Sequence, residues 1–442
     1  MNPMPIWMPS RLRQVTPIQL FWSVAASAWI AGVASWRWPL FQPKGYAHLA
    51  TAAQFVACFI VCLLAMGVFF SAVQTAAAKV VESKNINHIP RLDHLRFFAA
   101  ALIVLYHFYH SAIPLEARGT NVLLNVISEG SSAVAIFFVL SGFIFGLIGY
   151  DKKIRYVDFV WSRVIRIYPL YIFALLLLIG ANRNRFSSVD FITLLFPVFD
   201  SGSLPGLPGF GQLWTVGLEF QFYLIFPFLA AFVARNGYRY LLGLVLLAIG
   251  LRVLYFVQTG SVRDISYWTL LGRIDEFALG IGAAAVYMRR RHLFSNPLHL
   301  VLAIALALGA LQWLVAWGGY FNGAKSILWV VWPTIGGLVW AYLLLSYVSC
   351  RIRMPGFLDK SLDKLGALSF SIYVMHSFAL YWTQKYWAVW TFTKRTDLDA
   401  ALRGILICLP LAVGIAWCTY HLIEKQFFVF RRKYVEPIAA RP

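Results

Sequence analysis

Titratable side chains set in apolar sequence are where chemistry would be built in this chain. His107, His110, Glu219, Arg273, Asp275, Glu276 and His376 all fall within long apolar stretches. In hydrocarbon such groups are costly, and they mark functional sites by default. A neutral imidazole accepts a proton, and histidine is the commonest general base. The alternative for His107 is a core residue satisfied by a neighbouring helix. His107 and His110 are three apart and could supply half of a metal site. No carboxylate or cysteine beside them completes it, so no metal is expected. Glu219 shares a helix face with Phe222 and Tyr223. A buried carboxylate must be paired or protonated. Glu219 could orient a histidine, hold a substrate hydroxyl, or pair with Arg273. Arg273 and Glu276 are spaced to pair with each other.

A second group is cationic. Lys152, Lys153, Arg155, Arg163 and Arg166 crowd one short segment. Arg163 and Arg166 stand one helical turn apart, which suits a guanidinium clamp on phosphate. Ordinary charge bias in a loop facing the cytoplasm is the alternative. No Walker A or GxGxxG pattern points to ATP or NAD. Cys58, Cys62, Cys350, Cys408 and Cys418 show no CxxC and no paired spacing, so neither a disulfide framework nor zinc is signalled.

These residues must be positioned by helices in a membrane. Of 442 residues, 60% are apolar and 13% charged, and the mean hydropathy is +0.70. Soluble domains carry about 25% charged residues, so a soluble globular chain is excluded, and so is disorder. The expected class is all-α, a polytopic bundle. Stretches long enough to cross hydrocarbon lie near 17–36, 50–76, 97–113, 132–149, 168–181, 213–234, 239–257, 266–287, 298–317, 326–348, 367–385 and 404–423, about twelve helices. With a cytoplasmic N-terminus, inner segments carry 25 of the 38 Lys and Arg and outer loops 11, while Arg252 and Arg273 lie within spans. That bias places both termini in the cytoplasm. The net charge of +20 is then a matter of anionic lipid rather than nucleic acid. Residues 1–90 read as a two-helix N-terminal extension, 91–430 as the main membrane domain, and 431–442 as a basic cytoplasmic tail. The outer segment 182–212 is long and rich in Gly and Pro, as binding loops are. Counting 1.5 Å per residue, His107 stands roughly 16 Å beyond Arg96, near the membrane midplane. His376 falls at a similar depth.

Taken in order, the motifs are familiar. Arg91 to Arg96 followed by His107, with ten residues between Arg96 and His107, resembles the opening helix of the integral-membrane acyltransferase-3 family. So do Phe137 to Phe143 with Ser141, Arg163 to Tyr171 with Arg166 and Tyr168, Leu213-Trp214-Thr215 through Glu219, Tyr223 and Pro227, the set Arg273, Phe277 and Gly280, and Ser371-Ile372-Tyr373 with His376. The likeness covers residues 91 to about 430. His94 stands where the family usually has Gly, and the first two spans lie outside its ten-helix core. The resemblance implies transfer of an acyl group, usually acetyl, from cytosolic acyl-CoA to a carbohydrate or lipid-linked glycan, with no permanently bound cofactor. It implies His107, Glu219 and Asp93 as catalytic candidates and Arg96, Arg163 and Arg166 as acyl-CoA contacts. Ser141, Tyr168, Arg273, Tyr373 and His376 are further site candidates. The bacterial inner membrane is the expected location. The alternative is a proton-coupled transporter or flippase with His107, Glu219 and His376 as a relay.

Overall fold

The computed structural model describes residue 60 and residues 88–114, 121–150, 152–181, 211–322 and 325–437. The spans at 17–36 and 50–76, nearly all of the 1–90 extension, the loop 182–212 as far as Phe210, and residues 438–442 of the tail lie outside the described residues. Two compact units divide the chain. One comprises residues 1–83, 164–192 and 421–432, and the other residues 84–163, 193–420 and 433–442.

Helix α1, Pro90–Ala112, opens with proline in its first turn, where a missing N–H costs nothing. Asp93 in that turn complements the helix dipole. It ends at the extended Ile113, which precedes Pro114 and so avoids the helical region. The described helices then run α2 Val122–Ser128, α3 Ala133–Gly149, α4 Tyr156–Ala181, α5 Trp214–Asn236, α6 Arg239–Thr259, α7 Arg263–Trp268, α8 Leu270–Arg290, α9 Pro297–Ala316, α10 Leu328–Ser349, α11 Gly356–Ala367, α12 Ser369–Trp387, α13 Thr396–Arg403 and α14 Leu409–Thr419. Seven helices among the described residues are long and apolar enough to cross a membrane, or eight if the bent pair α11 and α12 counts as one span. The chain is therefore a polytopic helical membrane protein. Leu242, Leu246 and Leu254 of α6 and Leu298, Val301 and Leu302 of α9 stand exposed, as lipid-facing side chains do.

The structure is mostly helical, as expected, with one addition: β1, Lys152–Ile154, pairs antiparallel with β2, Val435–Pro437. Three-residue strands carry too little alternation to be read from sequence. The pairing sets Lys153 opposite Glu436. Helix α4 also begins at Tyr156, well before the expected 168. Asp158, Arg163 and Arg166 take its first turns out of the apolar run.

Among the described residues, the most extensive helix contact joins α3 and α8. A Cβ at Gly142 would fall on the carbonyl oxygen of Phe277, and one at Gly280 on that of Val139. Small residues are what let two membrane helices approach so closely. The crossing sets Phe138 against Phe277 with ring centroids 4.7 Å apart, and Phe222 of α5 against Phe277 at 3.9 Å. On the other side of the same unit, Ala100, Val104 and Phe108 of α1 pack with Ile372 and Ala379 of α12 and with Cys408, Ala412 and Ala416.

A buried ion pair ties α6, α8 and α10 together. Arg252 and Asp275 are both fully buried and bonded through Nη2 and Oδ2. Arg252 Nη1 donates to the Val330 carbonyl at 2.8 Å, and Thr334 Oγ1 donates to Asp275 at 2.5 Å.

Gly142→Ala is expected to lower stability by about 1–3 kcal/mol through overpacking. Gly250→Ala, where an added Cβ meets nothing within 4 Å, should not. Thermal unfolding in detergent compares them. Removing one partner of the buried pair, as in Asp275→Leu, should cost about 3–5 kcal/mol, and adding Arg252→Met should recover most of it. Chemical denaturation of the single and double variants measures the difference.

Candidate active site

His107 and His376 meet face to face. Their rings lie 5.1 Å apart between centroids at an interplanar angle of 28°. His107 comes from the fifth turn of α1, and His376 from the second turn of α12. The packing of these two helices around Ala100, Val104 and Ile372 places them. His376 is 1% exposed, and its Nδ1 lies 2.7 Å from the Tyr373 carbonyl oxygen. A carbonyl oxygen only accepts, so Nδ1 carries the proton and Nε2 presents a lone pair. That Nε2 is buried and has no hydrogen-bond partner among the described residues. His107 has ring contacts with Tyr106, at 4.9 Å, and with His376. It has no hydrogen bond among the described residues. His110 is occupied differently, with Nε2 donating to the Ser128 carbonyl at 2.7 Å. Sequence position alone left a satisfied core histidine open for His107. In the structure that reading fits His110, and it does not fit His107.

Tyr373 extends the polar centre to α5. Thr215 Oγ1 donates to Tyr373 Oη at 2.6 Å, and Tyr373 Oη donates to the Gln212 carbonyl at 2.8 Å. Gln212 Nε2 donates to Ser377 Oγ at 2.7 Å. One turn beyond Thr215 stands Glu219. Its Oε1 accepts from Ser141 Oγ at 2.9 Å and from the Tyr223 hydroxyl. The guanidinium of Arg163 lies 5.9 Å from the centre of the Tyr223 ring. A polar column thus runs from Arg163 through Tyr223, Glu219, Thr215 and Tyr373 to His376 and His107. Glu219 does not pair with Arg273, which binds Glu276 through Nε and Nη2, each at 2.9 Å. Glu219 and His107 make no direct contact.

Other sequence candidates sit apart from the histidines. Arg96 Nη1 donates to Asp93 Oδ1 at 2.8 Å, at the start of α1. Fourteen residues of helix put Asp93 roughly 21 Å from His107. His88 Nε2 and Asp363 Oδ1 are 2.7 Å apart beside them. The ligand atoms of His88, Asp93 and Asp363 lie within 4.8 Å of one another, a grouping with the residue types of a metal site. His94 is fully buried, with Nδ1 2.9 Å from Tyr347 Oη and Nε2 3.0 Å from the Asp359 carbonyl. This carries α1 onto α10 and α11 where the family has Gly. Arg163 stands among the rings of Phe145, Phe159, Tyr223 and Tyr434, and its Nη2 donates to Tyr434 Oη at 3.1 Å. In the other unit, Arg166 Nη1 lies 3.5 Å from Glu424 Oε2, and Tyr168 neighbours Tyr171 at 6.1 Å. The two arginines therefore have separate partners.

Sequence reasoning passed over Gln212, which binds Tyr373 and Ser377, and the partner of Arg252. Arg252 was the one with a signal. A lone arginine in a leucine-rich helix requires a buried acid, and Asp275 lacked a partner at helical spacing.

Comparison with known proteins agrees with the motifs. The family model for the acyltransferase domain of type 3 matches residues 89–421. Acyltransferase MdmB of Streptomyces mycarofaciens is 28% identical over 162 residues, which is 32% of this chain and 39% of that protein. A Staphylococcus aureus strain COL protein with the provisional name O-acetyltransferase SACOL0978 is 22% identical over 395 residues, 81% of this chain and 60% of its own length. O-acetyltransferase OatA of Staphylococcus aureus strain NCTC 8325 is 24% identical over 207 residues, 41% of this chain and 32% of that protein. The chain thus spans less than two thirds of the length of each of these relatives. No solved structure matches it. With the family match covering most of the sequence, the chain belongs to the acyltransferase-3 family.

Proposed function

We propose that this protein is an integral-membrane O-acyltransferase. It moves an acyl group, foremost acetyl, from cytosolic acyl-CoA to a hydroxyl of a cell-surface or lipid-linked glycan, in the bacterial inner membrane. The observation that carries the reading is the His107–His376 pair, two stacked imidazoles in an apolar bundle, with no hydrogen bond at His107 and none at the buried His376 Nε2 among the described residues. Buried polar groups are almost always hydrogen-bonded. A lone pair left without a partner beside a second imidazole favours an outside partner, here a hydroxyl that gives up its proton.

The roles follow from chemistry. His107 takes the proton of the acceptor hydroxyl as general base, or briefly carries the acyl group. His376, fixed in one tautomer by the Tyr373 carbonyl, stacks on His107 and favours the imidazolium that forms. Glu219, held by Ser141 and Tyr223, faces the acceptor side. Arg96 and Arg163 are the candidates of this unit for the CoA phosphates, and Arg163 opens the polar column that leads inward. Arg166 is the candidate of the other unit. No permanent cofactor is needed. The relatives' names, acyltransferase and O-acetyltransferase, support acetyl as the group moved. No observation favours the transporter.

The test is transfer of radiolabelled acetyl from acetyl-CoA to a glycan-lipid extract by the purified protein in detergent. His107→Ala is expected to fold and insert normally and to lose transfer by at least 10²-fold, the usual scale of a lost general base. Full activity in that variant would reject His107. Label retained on acid-quenched wild-type protein would assign the acyl-carrier role, and its absence the role of base.

A further inference from the structure

Three side chains with metal-ligating atoms converge at the start of α1. His88 lies two residues before Pro90, Asp93 is in the first turn of the helix, and Asp363 comes from α11. The imidazole sits between the two carboxylates. Its Nδ1 is 3.6 Å from Asp93 Oδ2, and its Nε2 is 2.7 Å from Asp363 Oδ1. One ligand atom from each residue falls within 4.8 Å of the other two. Donors bound to a tetrahedral zinc at 2.0–2.2 Å stand roughly 3.3–3.6 Å apart, so small side-chain movements close the set. Arg96 holds Asp93 through Oδ1, and Oδ2 is the atom that faces His88. Among these four side chains, two carboxylates and one guanidinium leave one negative charge beside a neutral imidazole.

The backbone around the cluster is fixed. A Cβ at Gly366 would fall on the Asp93 carbonyl oxygen, so α1 and α11 touch main chain to main chain there. Arg91 donates to the carbonyls of Tyr347, Cys350 and Ile352. His94, next to Asp93, reaches the Tyr347 hydroxyl and the Asp359 carbonyl. These contacts hold α1 against α10 and α11 on both sides of Asp93. Donors carried on a framework set in advance need little ordering to bind an ion. The hydrogen bond from Arg96 to Asp93 is also the kind of support that ligating carboxylates receive.

We propose that His88, Asp93 and Asp363 form a zinc site that ties the start of α1 to α11. Imidazole with carboxylate is a zinc donor set, whereas calcium and magnesium take oxygen ligands. Three protein ligands leave the fourth position to water. The His88 side chain is 59% exposed, which gives the ion and that water access from solvent. The bound ion joins two helices that matter elsewhere. Helix α1 carries His107, and α11 is the first limb of the bent pair whose second limb, α12, carries His376. Zinc here holds helices and stands apart from the reacting atoms, so the site is independent of the acyl transfer proposed above.

The experiment is zinc binding by the purified full chain in detergent, read by titration calorimetry and by metal analysis after dialysis, with thermal unfolding beside it. Wild type is expected to hold one zinc ion per chain more than His88→Ala or Asp363→Asn. Each variant should bind at this site more than about 10²-fold more weakly, beyond the scale for losing a residue that only supports a ligand. Added zinc should raise the Tm of wild type and leave that of the two variants unchanged. His292→Ala, at another exposed histidine, should behave as wild type. Equal zinc content in wild type and His88→Ala overturns the proposal. A Tm lowered in both variants with no zinc bound by wild type overturns it too, since that is the mark of a plain hydrogen-bonded pair. Should either variant not fold, modification of His88 by diethyl pyrocarbonate in wild type carries the test. Zinc is expected to protect His88, and equal modification with and without zinc rejects the site.

Discussion

The approach of α3 and α8 at Gly142 and Gly280 is the constraint on which the rest hangs. Each glycine lies against a backbone carbonyl of the other helix, of Phe277 and of Val139. Nothing larger than hydrogen fits at either place without moving a helix. Because the two backbones meet there, Phe138 stacks on Phe277, and Arg273, one turn before Phe277, comes to lie beside Phe138. Ser141, next to Gly142, reaches Glu219. One crossing thereby sets the positions of a carboxylate, a hydroxyl and a guanidinium on three helices. Membrane helices gain little from hydrophobic burial against one another, since lipid is equally apolar. Close packing of small residues carries that burden here.

A bundle this poor in charge must satisfy its buried polar groups from within. Most are satisfied. Asp275 takes Arg252 and Thr334, Glu219 takes Ser141 and Tyr223, and Tyr373 links Thr215 to Gln212. Others are not, and His376 Nε2, stacked against His107, is among them. With its other ring nitrogen held by the Tyr373 carbonyl, that nitrogen presents a lone pair able to accept a proton.

Much of this was legible in the sequence, and the limits have physical causes. Apolar runs at 239–257 and 298–317 became α6 and α9 nearly residue for residue, because lipid-facing helices carry little but apolar side chains. The start of α4 was hidden, since Arg163 among aromatic rings looks from sequence like a loop charge. Counting helical rise placed His107 and His376 at one depth, yet depth does not say that two rings touch. Their stacking depends on how α1 and α12 pack, a long-range property. The pairing of Arg273 with Glu276 was local and readable at i, i+3. That of Arg252 with Asp275 crosses helices and was not.

The difference between those two arginines is the last step. Both are buried and both face a carboxylate, so charge and burial alone would rank them alike. Geometry separates them. Asp275 meets Arg252 across a helix interface, where Val330 and Thr334 of a third helix occupy its remaining amino group. Glu276 meets Arg273 along one helix and binds the guanidinium on a single edge. The guanidinium also lies over the rings of Phe138 and Tyr267, 5.2 and 5.0 Å from their centres. A fold that needed Arg273 only to neutralise Glu276 would be served by a carboxylate-free, arginine-free helix at lower desolvation cost.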